Sequence, residues 1–305
     1  MTNSDSVTIQ VPATTANIGP GFDCLGAALT LYNSFRFTVT ETETTISVKG
    51  KEADKLNLDK NNLLYQSFAK FYQYINQTPP NVKIEISLAV PLARGLGSSA
   101  TAIVGGLVAA NALGGYPLNI PQIRQLAIAL EGHPDNVVPA LEGNCLLSVK
   151  ADEGWQITKL NWHQDLVPVV AIPDFELSTE KARKVLPSQL SYEDAVFNIS
   201  RLGLLLRGLE TNNRQWLKFA LDDRLHQPYR KSLILGYDLM REKAIAAGAY
   251  GLVISGAGPS LLALTDQSVS EAVSLIIQQT WQSMGVKVDV RSLSLDCQGA
   301  RIINN

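Results

Sequence analysis

Polar and apolar residues alternate at both ends of the first forty positions. Val7, Ile9 and Val11 are separated by polar residues, and so are Phe35, Phe37 and Val39. Period-two alternation predicts strands with one buried face. Ile46 and Val48 predict another strand, and Val82, Ile84, Ile86, Leu88 and Val90 alternate strictly. Between the first two runs, PATTANIGPGFD reads as a loop. Asn62 to Tyr74 has helical spacing, with Leu64, Phe68 and Phe71 on one face. A second helix is expected to start at a cap on Ser98 or Ser99 and run to about Leu113. Pro121 to Leu130 predicts a third, with proline in its first turn. EGHPDNVVPALEGN then reads as a polar loop, and Cys145 to Val149 as a strand.

The pattern weakens between Asp152 and Asp165, which suggests a boundary: residues 1–160 as one domain and 161–305 as another. Val167 to Ile172 is a short continuous apolar strand. Helices are expected at Ala195–Leu209, Gln215–Leu221, Leu233–Ala247 and Val269–Met284. Strands are expected at Tyr250–Ile254, Leu261–Leu264 and Val286–Val290, with SGAGPS a turn. Helices and strands alternating in this half point to an α+β sandwich of the split βαβ type.

Composition narrows the function classes. The chain has 305 residues, 46% apolar and 18% charged, with a formal net charge of −2. No basic excess exists to attract nucleic acid or an anionic membrane. Its three cysteines are widely spaced, which argues against a disulfide framework or a zinc site. A reducing, cytoplasmic setting is expected, since the N-terminus shows no basic and apolar leader pattern. Gly95 to Ile123 carries no charge. Its apolar core is too short and too rich in glycine for a membrane span of roughly 20 residues, and a buried helix is expected.

The stretch PLARGLGSSAT sits between a strand and a helix start. Glycines let backbone approach an anion closely. Free N–H groups at a helix start, aided by the helix dipole, attract phosphate. The lysine of the G-x-x-x-x-G-K-[ST] loop is missing, so further charge must come from elsewhere. Serine hydroxyls can ligate Mg²⁺, and Glu131 is the natural carboxylate partner. A small-residue helix entry built for tight packing is the alternative.

Two further loops, VPATTANIGPGFDCLG and GAYGLVISGAGPSLLAL, accompany PLARGLGSSAT in order and position. Together they resemble the signature motifs of the GHMP kinases. ANIGPGFDCLGAAL, EGHPDNVVPALEGN, STEKARKVLP and DRLHQPYR are similar to the branch of that family that phosphorylates L-homoserine. The resemblance implies a ribosomal-protein-S5-like N-terminal domain and a ferredoxin-like C-terminal one. It implies an ATP site at Asn62, Leu63 and Leu64 and along Pro91, Leu92, Ala93, Arg94, Gly95, Leu96, Gly97, Ser98, Ser99, Ala100 and Thr101. It implies Mg²⁺ on Ser99 and Glu131.

For the amino-acid substrate, the resemblance implies Arg183 and Arg230 at the carboxylate and Asp23 at the ammonium. Asn17, His133, Asn136, Thr179 and Gly258 would complete the site. Taken singly, Arg183 in KARK reads as a surface charge, Asp23 as a turn residue, His133 as a loop histidine and Asn136 as a cap. Asp135 occupies the position of a base in mevalonate-type relatives. A loop-ordering carboxylate is the alternative, because the L-homoserine branch has been read as working without a base. Arg94 stands where many relatives have a small or neutral residue. It either adds a cation beside the phosphates or faces water. Relatives are often homodimers. Another small-molecule kinase of the family, or a non-catalytic ligand sensor, stays open.

Overall fold

A computed structural model describes residues 5–303. The first part of the chain runs β1 (Ser6–Asn17), β2 (Gly21–Val39), β3 (Thr45–Lys49), α1 (Leu63–Tyr74), β4 (Val82–Ser87), α2 (Ser98–Leu113), α3 (Ile120–Glu131), α4 (Pro134–Glu142), β5 (Cys145–Ala151) and β6 (Gly154–Leu160). The rest runs β7 (Leu166–Pro173), α5 (Thr179–Lys184), α6 (Tyr192–Thr211), α7 (Arg214–Ala220), α8 (Gln227–Arg230), α9 (Tyr237–Ala246), β8 (Gly251–Ile254), β9 (Leu261–Asp266), α10 (Ser270–Ser283), β10 (Val288–Ser292) and β11 (Arg301–Ile302).

The strands form two sheets. In the first the order is β11-β1-β2-β4-β3, and β2 also pairs with β5, which pairs with β6. The 19-residue β2 makes this possible. Its later part lies between β1 and β4, while Leu25 to Ala27 pair with β5. The second sheet has the order β10-β7-β9-β8 and is antiparallel throughout. Numbered from β7, that order is 4-1-3-2, and with α9 and α10 as crossovers it is the ferredoxin-like arrangement expected of the second half.

Alternating side chains from the first sheet bury Val7, Ile9, Val11, Phe35, Phe37, Ile84 and Ile86 against α1 to α4. The apolar core of the uncharged stretch is α2, most of whose residues are buried. Among the described residues no helix is long and apolar enough to cross a membrane. A second apolar cluster joins β2, β5, β7 and β9 to α6 and α7, and a third packs α9 and α10 on the second sheet around Trp281.

Several expectations change. PATTANIGPGFD is not a loop. Both strands run through it and leave a tight turn at Ile18–Pro20, with Asn17, Ile18, Gly19 and Asp23 all at positive φ. Asparagine, aspartate and glycine accept that conformation readily. The polar segment after Glu131 is largely helix α4, not loop. Pro134 suits its first turn, while Pro139 inside it lacks the N–H that would bond the Asp135 carbonyl. The weak stretch after Asp152 contains β6, whose outward residues are polar and whose pairing with β5 supplies the order.

Candidate active site

The loop after β4 enters α2 through residues in left-handed conformation: Ala93 at φ 51°, Gly95 at 73° and Gly97 at 66°. Gly97, not a serine, is the N-cap of α2, and no side chain caps the helix. The first-turn amides are therefore available to an anion. A Cβ on Gly97 would lie 2.0 Å from Thr14 Oγ1, so the loop packs directly on β1.

The β8–β9 turn locks against this loop. Ser255 Oγ donates to Gly95 O at 2.7 Å and bonds Thr15 Oγ1 at 2.9 Å. Ser260 N donates to Arg94 O at 3.2 Å, and Gly256 N to Ala16 O at 3.0 Å. Asn17 joins the turn to the start of β2. Its Nδ2 donates to Gly256 O at 2.8 Å and its Oδ1 accepts from Asp23 N at 3.0 Å.

These segments enclose a cavity of about 350 Å³. Asn17, Asp23, His133, Asn136, Thr179, Arg183, Arg230 and Gly258 all line it, together with Gly95, Gly97, Ser98, Ser99, Glu131 and Asp135. Several elements contribute them. Ser178 caps α5 by accepting from Lys181 N, and α5 presents Thr179 and Arg183. Helix α8 presents Arg230, which is 2% exposed. Helix α4 presents Asp135 and Asn136.

Charges in the cavity are paired or buried. Arg183 meets Asp23 through both oxygens, at 2.8 and 3.1 Å. Arg230 donates from Nε to Ala182 O and from Nη1 to Gly256 O, both at 3.1 Å. Burial, then the Arg183 charge, pushes the Arg230 guanidinium down to about 10. Asn136 accepts from Thr14 Oγ1 at 2.8 Å and donates to Asp135 Oδ1 at 3.3 Å. Burial, then the Asp23 charge, pushes the Asp135 carboxyl from 3.8 up to about 7. Burial, then Arg183, lowers His133, so its ring is neutral at pH 7. Ser99 Oγ donates to Glu131 Oε2 at 2.7 Å.

A smaller cavity of about 160 Å³ adjoins the first and shares Ser98 and Ser99 with it. Asn62, Leu63, Leu64, Leu92 and Thr101 line it with Phe35. Asn62 caps α1 by accepting from Leu64 N at 3.0 Å. Leu96 and Ala100 are core residues beneath the loop.

Models of the GHMP kinases N-terminal domain and of the GHMP kinases C-terminal domain match residues 62–144 and 198–283. A homoserine kinase of Microchaete diplosiphon is 64% identical over 98% of each chain. One from Nostoc punctiforme is also 64% identical, over 97% of this chain and 98% of its own. The chain belongs to the homoserine kinases of the GHMP family. The crystal structure of homoserine kinase from Cytophaga hutchinsonii superposes with a TM-score of 0.91 at 29% identity, covering 99% of both chains. The L. major mevalonate kinase in complex with R-mevalonate shares the fold, with a TM-score of 0.70 at 14% identity and 95% of each chain covered.

Within this homoserine kinase fold, Arg94 takes neither position expected of it. It is 5% exposed and its side chain turns away from both cavities. Nε donates to Pro173 O at 3.0 Å, Nη2 to Asp174 O at 2.8 Å and Nη1 to Leu92 O at 2.5 Å. Glu52 and Glu176 each lie 3.3 Å away. Arg94 therefore ties the loop before α2 to the end of β7. With Pro91 it lines a larger, mostly apolar cavity of about 580 Å³ that none of the expected substrate residues reaches.

Ser255 and His226 lie outside the residues expected from the sequence. Ser255 stood inside a turn motif with no distinguishing spacing. His226 lay in DRLHQPYR, where only the terminal arginine had an evident charge role.

Proposed function

We propose that the protein transfers the γ-phosphoryl group of ATP to the hydroxyl of L-homoserine, giving O-phospho-L-homoserine and ADP, a step toward threonine. The observation that carries this reading is the single cavity in which two arginines, an aspartate and the phosphate loop converge. A zwitterion with a reactive hydroxyl needs that set. A guanidinium gives a carboxylate charge-assisted hydrogen bonds, and Asp23 suits an ammonium.

ATP fits the two adjoining cavities. The smaller apolar one takes the adenine, and the free amides of α2 face the phosphates. Ser99 and Glu131 are hard oxygen donors, hydrogen-bonded to each other, at the point where the cavities meet. Among the described residues no three His, Cys, Asp or Glu side chains cluster as a metal cage. Two oxygen donors of this kind suit Mg²⁺, which keeps waters and phosphate oxygens in its shell. When bound it offsets charge on the phosphates.

Asp135 serves as the base. What supports this role is that its carboxyl accepts from Asn136 and lines the cavity. The substrate oxygen forms a bond to the γ-phosphorus, the bond to the bridging oxygen of ADP breaks, and the hydroxyl proton passes to Asp135. Positioning by Asn17, His133, Asn136 and Thr179 supplies the remainder. Free cysteines at 24, 145 and 297 suit a reducing cytoplasm.

Arg183→Ala and Arg230→Ala test the substrate reading. Each is expected to raise the KM for L-homoserine by about tenfold or more, as loss of a charge-assisted hydrogen bond requires, with the KM for ATP unchanged. Equal effects on both substrates would count against a carboxylate clamp.

A further inference from the structure

We propose that Phe22 and His226 are positioning residues that set the guanidinium of Arg230 for the substrate carboxylate, an inference that rests on L-homoserine being the substrate. Phe22 lies between Gly21 and Asp23 and is half-buried. The Arg230 Cζ lies 5.1 Å from its ring centroid, and the Arg183 Cζ 5.7 Å. Both are within reach of a cation–π attraction. One aromatic ring thus lies within cation–π reach of both arginines.

The ring also stacks on His226, with centroids 5.1 Å apart and planes at 25°. His226 is fully buried. Its Nε2 faces two acceptors, Gly19 O at 2.9 Å and Asp223 Oδ2 at 3.6 Å. Neither donates to it, so Nε2 carries the proton. Nδ1 is then a lone pair, and it faces Arg230 Nη1 at 3.4 Å. A protonated imidazole would set an N–H against that guanidinium. The neutral ring is the one that fits, and burial favours it.

Asp223 holds this histidine in place. Its carboxylate accepts from His226 N at 2.9 Å and Gln227 N at 2.7 Å, and from Asn198 Nδ2 at 2.9 Å. Arg230 is consequently held at Nε by Ala182 and at Nη1 by Gly256 and His226. Nη2 has no protein partner among the described residues, and Arg230 lines the cavity. The arrangement leaves one defined nitrogen for a ligand oxygen.

The test compares Phe22→Leu, Phe22→Tyr and His226→Gln with the unaltered protein. Substrates are L-homoserine and 3-aminopropan-1-ol, which is the same amino alcohol without the carboxylate. Phe22→Leu is expected to raise the KM for L-homoserine roughly tenfold, with kcat within about threefold and the KM for ATP unchanged. Preference for L-homoserine over the amino alcohol falls in step. Phe22→Tyr keeps the ring and the preference. His226→Gln keeps a donor toward Gly19 but loses the Nδ1 acceptor, and lowers the preference several-fold. If Phe22→Leu destabilises the fold, the other two variants carry the comparison. A preference unchanged in Phe22→Leu and His226→Gln overturns the proposal. So does a fall in kcat with both KM values raised together, which marks a structural role. No turnover of L-homoserine by the unaltered protein overturns the substrate reading, and this inference with it.

Discussion

Asp135 shows how burial tunes a single residue. A carboxyl near pH 7 is poised to accept a proton and still be ionised at working pH. If it is the base, kcat/KM falls about tenfold per unit as pH drops below 7. Asp135→Asn is expected to lower kcat by about 10²-fold or more while ATP still binds. Stability moves the other way. A carboxyl whose folded value lies at about 7 rather than 3.8 disfavours folding as it ionises, and the cost grows as pH rises from about 4 to 7. Asp135→Asn should therefore melt above the unaltered protein at pH 8, with a smaller gap at pH 5. Thermal melts at the two pH values check this, and a gap independent of pH would contradict it. Little of this was legible beforehand. The sequence places Asp135 in a D-N pair, but burial and the neighbouring Asp23 charge appear only when β2 and α4 meet. Arg94 is a similar case: its charge was visible, but the carbonyls at and just past the end of β7 that capture it were not.

At the scale of elements, period-two and period-3.6 patterns located most strands and helices, because one face of each is buried. The misses have physical reasons. Helix α4 carries two prolines and follows a glycine and a histidine, which read as loop punctuation. Yet Pro134 stands where a helix tolerates it, and its partners across β2 hold the rest. A Cβ on Gly26 would fall 1.7 Å from Asp135 O, so β2 and α4 touch backbone to backbone at the site. Strand β11 has two residues and no pattern of its own; pairing with β1 at Ile9 and Gln10 defines it. The α2 entry is the most sensitive element. Gly97→Ala forces a Cβ into left-handed backbone, at about 1–2 kcal/mol, and against Thr14, whose hydroxyl orients Asn136. The expected result is a lower melting temperature and a raised KM for ATP. Unchanged values of both would show that the loop does not need this packing.

At the scale of the molecule, the site exists because two sheets with different topologies are laced together. Asn17, from the first sheet, bonds Gly256, from the turn of the second. Arg230 bonds the same carbonyl, and Arg183 crosses to Asp23. The motifs that named the candidate residues were legible as separate strings. Their convergence was legible only through resemblance to a family, because no local pattern dictates how strands 239 residues apart approach. The central claim is the acceptor alcohol. The most direct measurement is ADP release from Mg-ATP by the whole protein, with L-homoserine, D-homoserine, L-serine, L-threonine and mevalonate as acceptors. The account predicts saturable turnover with a strong preference for L-homoserine. Turnover of mevalonate or another alcohol in its place, or no turnover with L-homoserine while ATP still binds, would contradict it.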